Sequence, residues 1–409
     1  MSQAPATWLP VPPDHLFGIT NLPLGIFSTP GTAPRTGVAI GDQVLDLAAA
    51  TGDAVHATGT LNTFLAGGSA TWAALRAEVT RLLTDDACRA LVDPHLLDQS
   101  DVTMHLPVQV ADYVDFYSSQ HHAENLGRLF QPGSPPLPPN WKHLPIGYHG
   151  RAGTVQVSGT PVVRPSGQRK DPTDTVPTFG PSRRLDIETE VGFLVGTPSK
   201  LGTPVPLGDF ADHVFGVCLV NDWSARDLQA WEYAPLGPFL GKSFLTSVSP
   251  WVVPLAALAA ARVHPPTRDQ ELLPYLRDDT EPGGLDITLE VTLNGQVISA
   301  PPFDALYWTP AQQLAHMTVN GASLRTGDPY ASGTVSGPTP SQWGSLIELT
   351  HGGTQPLTLP DGTHRAFLKD TITITITITA TAPGTHGTRI GFGAVTGQVQ
   401  PTTSTVRAG

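Results

Sequence analysis

Thr371-Ile372-Thr373-Ile374-Thr375-Ile376-Thr377-Ile378-Thr379 alternates polar and apolar residues without a break. Successive side chains of a β-strand point to opposite faces, so this period of two puts Ile372, Ile374, Ile376 and Ile378 on one face of a strand. On an open edge such a strand is a template for aggregation. It is therefore expected to be paired on both sides or buried at a subunit contact. Outward from it, Gly and Pro number 41 each and punctuate many short alternating runs, the pattern of a mainly β protein. Helix is the minority. The spacing of Trp72, Leu75, Val79 and Leu82 predicts one helix from Ala70 to Leu83, and a second runs from Pro310 to Val319 with Leu314 and Met317 inward. No internal repeat at a fixed period is present, which removes the main support for propellers and solenoids.

The chain has 409 residues, whereas single cores usually stop growing at about 250 to 300. Two domains are expected. Residues 1–106 read as short strands, such as Gly37-Val38-Ala39-Ile40-Gly41 and Gln43-Val44-Leu45-Asp46-Leu47, followed by helices. From 107 to 409 the runs lengthen, Pro-rich loops such as 132–139 appear, and the chemically suggestive residues gather; the boundary falls at Leu106-Pro107. The first residues carry neither a basic nor an apolar signal-like region, and no apolar run could span a bilayer, so a cytoplasmic protein is expected. A net charge of −12 disfavours nucleic acid and anionic membranes as partners. An anionic substrate would need a locally positive pocket. Cys88 and Cys218 make no disulfide framework, and Cys218 sits in an apolar run as a core residue would.

Two further strand-like stretches carry the chemistry. Leu185-Asp186-Ile187-Glu188-Thr189-Glu190-Val191-Gly192-Phe193 and Val217-Cys218-Leu219-Val220-Asn221-Asp222-Trp223 place Glu188, Glu190 and Asp222 among apolar neighbours that predict burial. Glu188 and Glu190, two apart on a strand, share a face. Two carboxylates desolvated together are costly unless a cation lies between them. Asp115, flanked by aromatics in Asp112-Tyr113-Val114-Asp115-Phe116-Tyr117, can join them, and such hard oxygen ligands suit Mg²⁺ or Ca²⁺ better than zinc. The plain alternative for each is a solvated carboxylate or a cap. Downstream of Asp222 lie Arg226, Gln229 and Lys242. If Ser224 caps a helix there, Arg226 and Gln229 share a face as fixed donors; a surface ion pair of Arg226 with Asp227 or Glu232 is the alternative. His121 and His122 follow the Asp115 strand, and either imidazole could activate water, since spacing alone does not choose between them. Glu348, read as a carboxylate in an apolar strand, could orient such a histidine.

Several long segments together resemble the fumarylacetoacetate hydrolase family. They are Asp115-Phe116-Tyr117-Ser118-Ser119 with His122, Leu144-Pro145-Ile146-Gly147-Tyr148-His149-Gly150-Arg151-Ala152, Asn221-Asp222-Trp223-Ser224-Ala225-Arg226-Asp227, the run from Trp231 to Phe244, and Ala331-Ser332-Gly333-Thr334-Val335-Ser336-Gly337-Pro338. Asn21 to Thr29 and Arg389 to Gly393 extend the likeness over nearly the whole chain. The resemblance implies a small SH3-like N-terminal domain, a large mixed β-sandwich roll and a homodimer. It implies Asp115, Glu188, Glu190 and Asp222 as metal ligands, with Lys242 and Thr246 beside the Mg²⁺ or Ca²⁺. It implies His122 as the catalytic base with Glu348 as its partner. Substrate and oxyanion contacts carry over to Tyr117, Tyr148, Arg226, Gln229, Tyr233, Lys242 and Thr334.

One departure concerns substrate binding: Gln131 stands where the family carries an arginine nine residues after the catalytic histidine, and Arg128 stands one helical turn earlier. If 122–131 is helical, Arg128 could reach the same substrate carboxylate. The implied reaction is metal-dependent hydrolysis of the carbon-carbon bond of a diketo acid, 4-fumarylacetoacetate, to fumarate and acetoacetate, the last step of tyrosine and phenylalanine degradation. An acylpyruvate hydrolase or oxaloacetate decarboxylase of the same superfamily is the alternative, and a non-catalytic metal-stabilised β protein is the reading from another class.

Overall fold

The structure is a computed structural model that describes residues 5–278, 283–359, 362–370 and 374–403. Ile372 lies outside the described residues. Ile374–Pro383 is a strand hydrogen-bonded to Thr288–Leu293 on one side and Arg389–Gln400 on the other. Ile374, Ile376 and Ile378 are all buried, as the period of two requires, while the threonines between them are half-buried. Gln296–Ser299 and Val162–Val163 complete this five-stranded sheet.

Facing it is a larger mixed sheet in the order Gly147–His149, Val114–Phe116, Pro329–Ala331, Thr189–Val195, Val214–Asp222, Thr246–Val248 and Val155–Val157, with Val253–Pro254 also paired to Val214–Asp222. Every residue of Thr189–Val195 and Val214–Asp222 is buried, so these strands are covered on both faces. One face sends Val191, Phe193, Val217 and Leu219 into the core shared with Ile374, Ile376, Ile378, Leu289 and Val395. The other face carries the acids.

The N-terminal part has its own antiparallel sheet, ordered Leu96–Asp98, Gln43–Asp46, Arg35–Ile40, Leu24–Ser28 and Thr103–His105. Leu47, expected to end a strand, instead begins the helix Leu47–Thr51, because the Asp46 side chain accepts the Ala49 amide and caps it. The expected helix at 70–83 spans Gly68–Thr84 and buries Trp72, Val79 and Leu82 against Ile26, Val38 and Leu45. The Trp72 ring also meets the edge of Phe215, centroids 5.4 Å apart, which locks this part onto the large sheet. The second expected helix spans Pro310–Thr318, with Leu314 buried and Met317 partly so. Among the described residues no helix is long and apolar enough to cross a membrane.

Candidate active site

Register explains why acids far apart in sequence meet. Glu190 pairs with Val220, Gly192 with Ala331 and Ala331 with Asp115, while Asp222 pairs with Thr246 and Asp115 with Tyr148. Residues opposite one another share a face, so Glu190, Asp115, Asp222, Tyr148 and Thr246 project together. Glu188, just before its strand, is tied in where the Asp222 amide donates to its carbonyl, 3.1 Å. Carboxylate oxygens of Asp115, Glu188, Glu190 and Asp222 come within 4.8 Å of one another, and all four residues are buried.

Their environments divide them. Burial first, and then the Asp222 carboxylate, hold Asp115 well above the usual carboxylate range; burial and Asp115 do the same to Glu190. Burial also pushes on Glu188, but Lys242 and Arg226 together outweigh it and hold that carboxyl below its ordinary value. Lys242 donates to Glu188 Oε2 at 2.7 Å and to Ser224 Oγ at 3.0 Å, and pairs closely with the Asp222 carboxylate. Arg226 reaches Glu188 Oε1 at 2.7 Å through Nη1 and Asp186 Oδ2 at 2.8 Å through Nε. Tyr148 Oη donates to Asp115 at 2.9 Å and Asp222 at 3.2 Å, and Thr246 Oγ1 to Asp222 at 2.6 Å. The Gly333 amide bonds Glu190 Oε2 at 3.2 Å. Its φ of +76° and a Cβ position only 2.1 Å from the Phe116 carbonyl admit glycine alone there.

The donor set fits a hard divalent cation. It is all oxygen, four carboxylates face two cationic side chains, and Asp115 Oδ1 and Glu190 Oε1 are buried without a hydrogen-bond partner.

Beside this nest, His122 Nδ1 and Glu348 Oε2 are 2.7 Å apart. His122 sits in the first turn of the helix Gln120–Phe130, where Ser119 Oγ accepts its amide as N-cap, and its ring stands nearly perpendicular to that of Tyr117, centroids 5.5 Å apart. Glu348 accepts from Ser336 at 3.0 Å, Ser345 at 2.6 Å and Asn125 at 2.9 Å. Burial raises its pKa, but His122 and these donors prevail and hold it below the ordinary value. An ionised carboxylate only accepts, so Nδ1 carries a proton, and in the neutral ring the lone pair is on Nε2.

Two local expectations are corrected. Glu348 lies on a short helix, Leu346–Leu349, not a strand; four residues carry no readable period. Ser224 is not a cap: it belongs to the strand Ser224–Ala225, and Ala225 precedes the helix Arg226–Glu232. Arg226 and Gln229 do share that helix's face, with Nη1 donating to Oε1 at 3.3 Å, and Arg226 is buried rather than in a surface pair. Cys218 is core, its thiol pushed up to about 12 by burial.

Not every expected residue converges. Tyr117, Tyr148, Arg226, Gln229, Lys242, Thr246 and Thr334 lie in or beside the nest, and Thr334 Oγ1 is buried without a partner. Gln131 ends its helix exposed, and Tyr233 is 52% exposed, and among the described residues no hydrogen bond ties either side chain to the nest. Arg128 is exposed and bonded to Glu124 at 2.6 Å, so its charge is already engaged. Sequence reasoning did not single out Asp186, Asn125, Ser336 or Ser345, whose roles arise from contacts across the fold.

A sandwich carrying a four-carboxylate nest able to hold a cation, beside a histidine–glutamate pair, defines a hydrolase architecture. The chain belongs to the fumarylacetoacetate hydrolase family: it matches "Fumarylacetoacetate (FAA) hydrolase C-terminal" over residues 112–400 and "Fumarylacetoacetase N-terminal" over 20–107. It is 47% identical to fumarylacetoacetase of Homo sapiens over 417 residues, covering 97% of this chain and 99% of that protein. Fumarylacetoacetases of Caenorhabditis elegans and Arabidopsis thaliana are 46% and 42% identical, with 97% of this chain covered in each case. Among solved structures, fumarylacetoacetate hydrolase from Exiguobacterium antarcticum shares the fold, with a TM-score of 0.55 at 16% identity over 93% of this chain and 99% of that one.

Proposed function

We propose that this protein hydrolyses 4-fumarylacetoacetate to fumarate and acetoacetate. The observation that carries the reading is the buried His122–Glu348 pair standing beside the acidic nest, in a chain whose full-length relatives are fumarylacetoacetases. Glu348 fixes the tautomer, and His122 Nε2 takes a proton from water as its oxygen adds to the ketone carbon on the fumaryl side. The carbon-carbon bond then breaks, its electron pair leaves with acetoacetate as an enolate, and His122 returns the proton to that carbon. Arg226, Gln229 and Lys242 are the donors assigned to the oxyanion and the departing enolate. Tyr117, Tyr148, Tyr233, Thr334 and Gln131 are assigned to substrate. Asp115, Glu188, Glu190 and Asp222 would hold a divalent cation, which would supply Lewis-acid charge to the site.

The hard oxygen donors support Mg²⁺ or Ca²⁺ as that ion. The buried free thiols of Cys88 and Cys218 support a reducing, cytoplasmic setting. Exposed Trp231, Leu236, Phe239 and Leu240 on one segment support a homodimer contact, since a cluster of bare apolar side chains favours a partner. The family matches end at 107 and resume at 112, which supports a domain boundary at Leu106-Pro107. Assay of the purified protein on fumarylacetoacetate and on acylpyruvates tests the reading. Turnover of acylpyruvates alone would overturn it.

A further inference from the structure

The geometry points to Asp186 as a positioning residue that holds Arg226 and the His122–Glu348 pair in register with each other, an inference that rests on the roles proposed above for those side chains. Asp186 is fully buried and belongs to the two-residue strand Leu185–Asp186, paired with Ser224–Ala225 directly before the Arg226 helix. Four donors converge on its two oxygens. Oδ1 accepts the amides of Ile187 and Leu346, both at 2.7 Å; Oδ2 accepts the Ile347 amide at 3.1 Å and Arg226 Nε at 2.8 Å.

A carboxylate has about four lone-pair positions, so the group is saturated, and one side chain clamps two separate pieces of the site. One piece is the guanidinium. The other is the Leu346–Leu349 helix that carries Glu348. Ser345 precedes that helix and makes no side-chain cap bond to its amides; its hydroxyl instead donates to Glu348 Oε2 at 2.6 Å. Asp186 therefore takes over the capping of Leu346 and Ile347, and this frees Ser345 to hold the carboxylate that orients His122. The Arg226 Nη2 left without a partner in the buried site is in turn aimed by a side chain whose Nε is pinned to Asp186.

An amide cannot replace this group, because its NH₂ would face either Arg226 and the Ile347 amide or the amides of Ile187 and Leu346, donor against donor. The test is D186N in the metal-loaded enzyme, with kcat, KM, melting temperature and the downfield proton resonance of His122 Nδ1–H, assigned by its loss in H122N. The expected result is a fall in kcat of about 10²-fold, as for a small misplacement of catalytic groups, with KM within about threefold and the His122 proton shifted or broadened. Core variant I378V serves as the control, since it lowers the melting temperature without moving that proton. A kcat within about threefold of wild type, or an unmoved resonance, overturns the inference. Should D186N fail to fold, D186E keeps the charge but displaces the carboxylate by one methylene from both pieces it clamps, and an unmoved His122 proton there overturns it equally. H122N and E348Q in the same assay judge the underlying reading separately: if they retain wild-type turnover, that reading fails whatever Asp186 does.

Discussion

Lys242 Nζ lies 2.7 Å from Glu188 Oε2, and both side chains are buried. The ammonium is the counter-charge for Glu188 and Asp222 and, in the proposed reaction, a donor to developing negative charge. K242A is expected to lower turnover by about 10² to 10³-fold. It also strands two buried carboxylates, which costs about 3 to 5 kcal/mol when no cation replaces the lysine. Steady-state kinetics and melts with and without Mg²⁺ or Ca²⁺ check both arms; turnover within tenfold of wild type would remove Lys242 from the chemistry.

Metal removal should make stability fall with rising pH. Asp115 and Glu190 titrate above the usual range, by burial first and neighbouring carboxylates second. Without an ion the folded chain keeps protons that the unfolded chain gives up near about pH 4, so stability falls as pH rises from there through the raised values. A cation that binds the ionised carboxylates cancels this loss. Melts in EDTA should run lower at pH 8 than at pH 5.5, and added Ca²⁺ or Mg²⁺ should raise the pH 8 value more. A flat profile in EDTA speaks against the nest.

The His122–Glu348 pair predicts its own acid limb. Glu348 is held below the ordinary glutamate value, so its contribution to stability is full above the unfolded pKa of about 4.3 and is lost as pH falls through the folded one. E348Q should flatten that limb and cut kcat by at least about 10²-fold through the wrong histidine tautomer. Parallel acid titrations followed by circular dichroism and the activity assay separate the two effects.

Ile376 is wholly buried between the two large sheets. I376A should cost about 2 to 5 kcal/mol, whereas L201S, at a residue 83% exposed, should change stability by less than about 0.5 kcal/mol. Denaturant midpoints give the comparison.

Much of this site was legible where the pattern was local. The Thr–Ile alternation announced its strand, the Trp72 to Leu82 spacing its helix, and the offset of two between Glu188 and Glu190 their common face. The convergence of Asp115 and Asp222 on that face came from the resemblance and from the cost of burying bare acids, because strand register between distant segments leaves no mark in a single sequence. The Glu348 helix stayed hidden for another reason. It is one turn long, and its first amides are satisfied by Asp186 from more than a hundred residues away. Ser224 misled because a serine before a helix usually caps it, while here the ammonium of Lys242 claims its hydroxyl.

The doubly flanked Ile374–Pro383 strand also bears on the birth of the molecule. Translation runs from the N-terminus, so Thr288–Leu293 has left the ribosome before the threonine-isoleucine run emerges, and Arg389–Gln400 follows after only the short turn at 384–388. The stickiest stretch of the polypeptide thus meets its first neighbour already made and its second within moments, which shortens the interval in which a nascent copy could snare another on the same polysome.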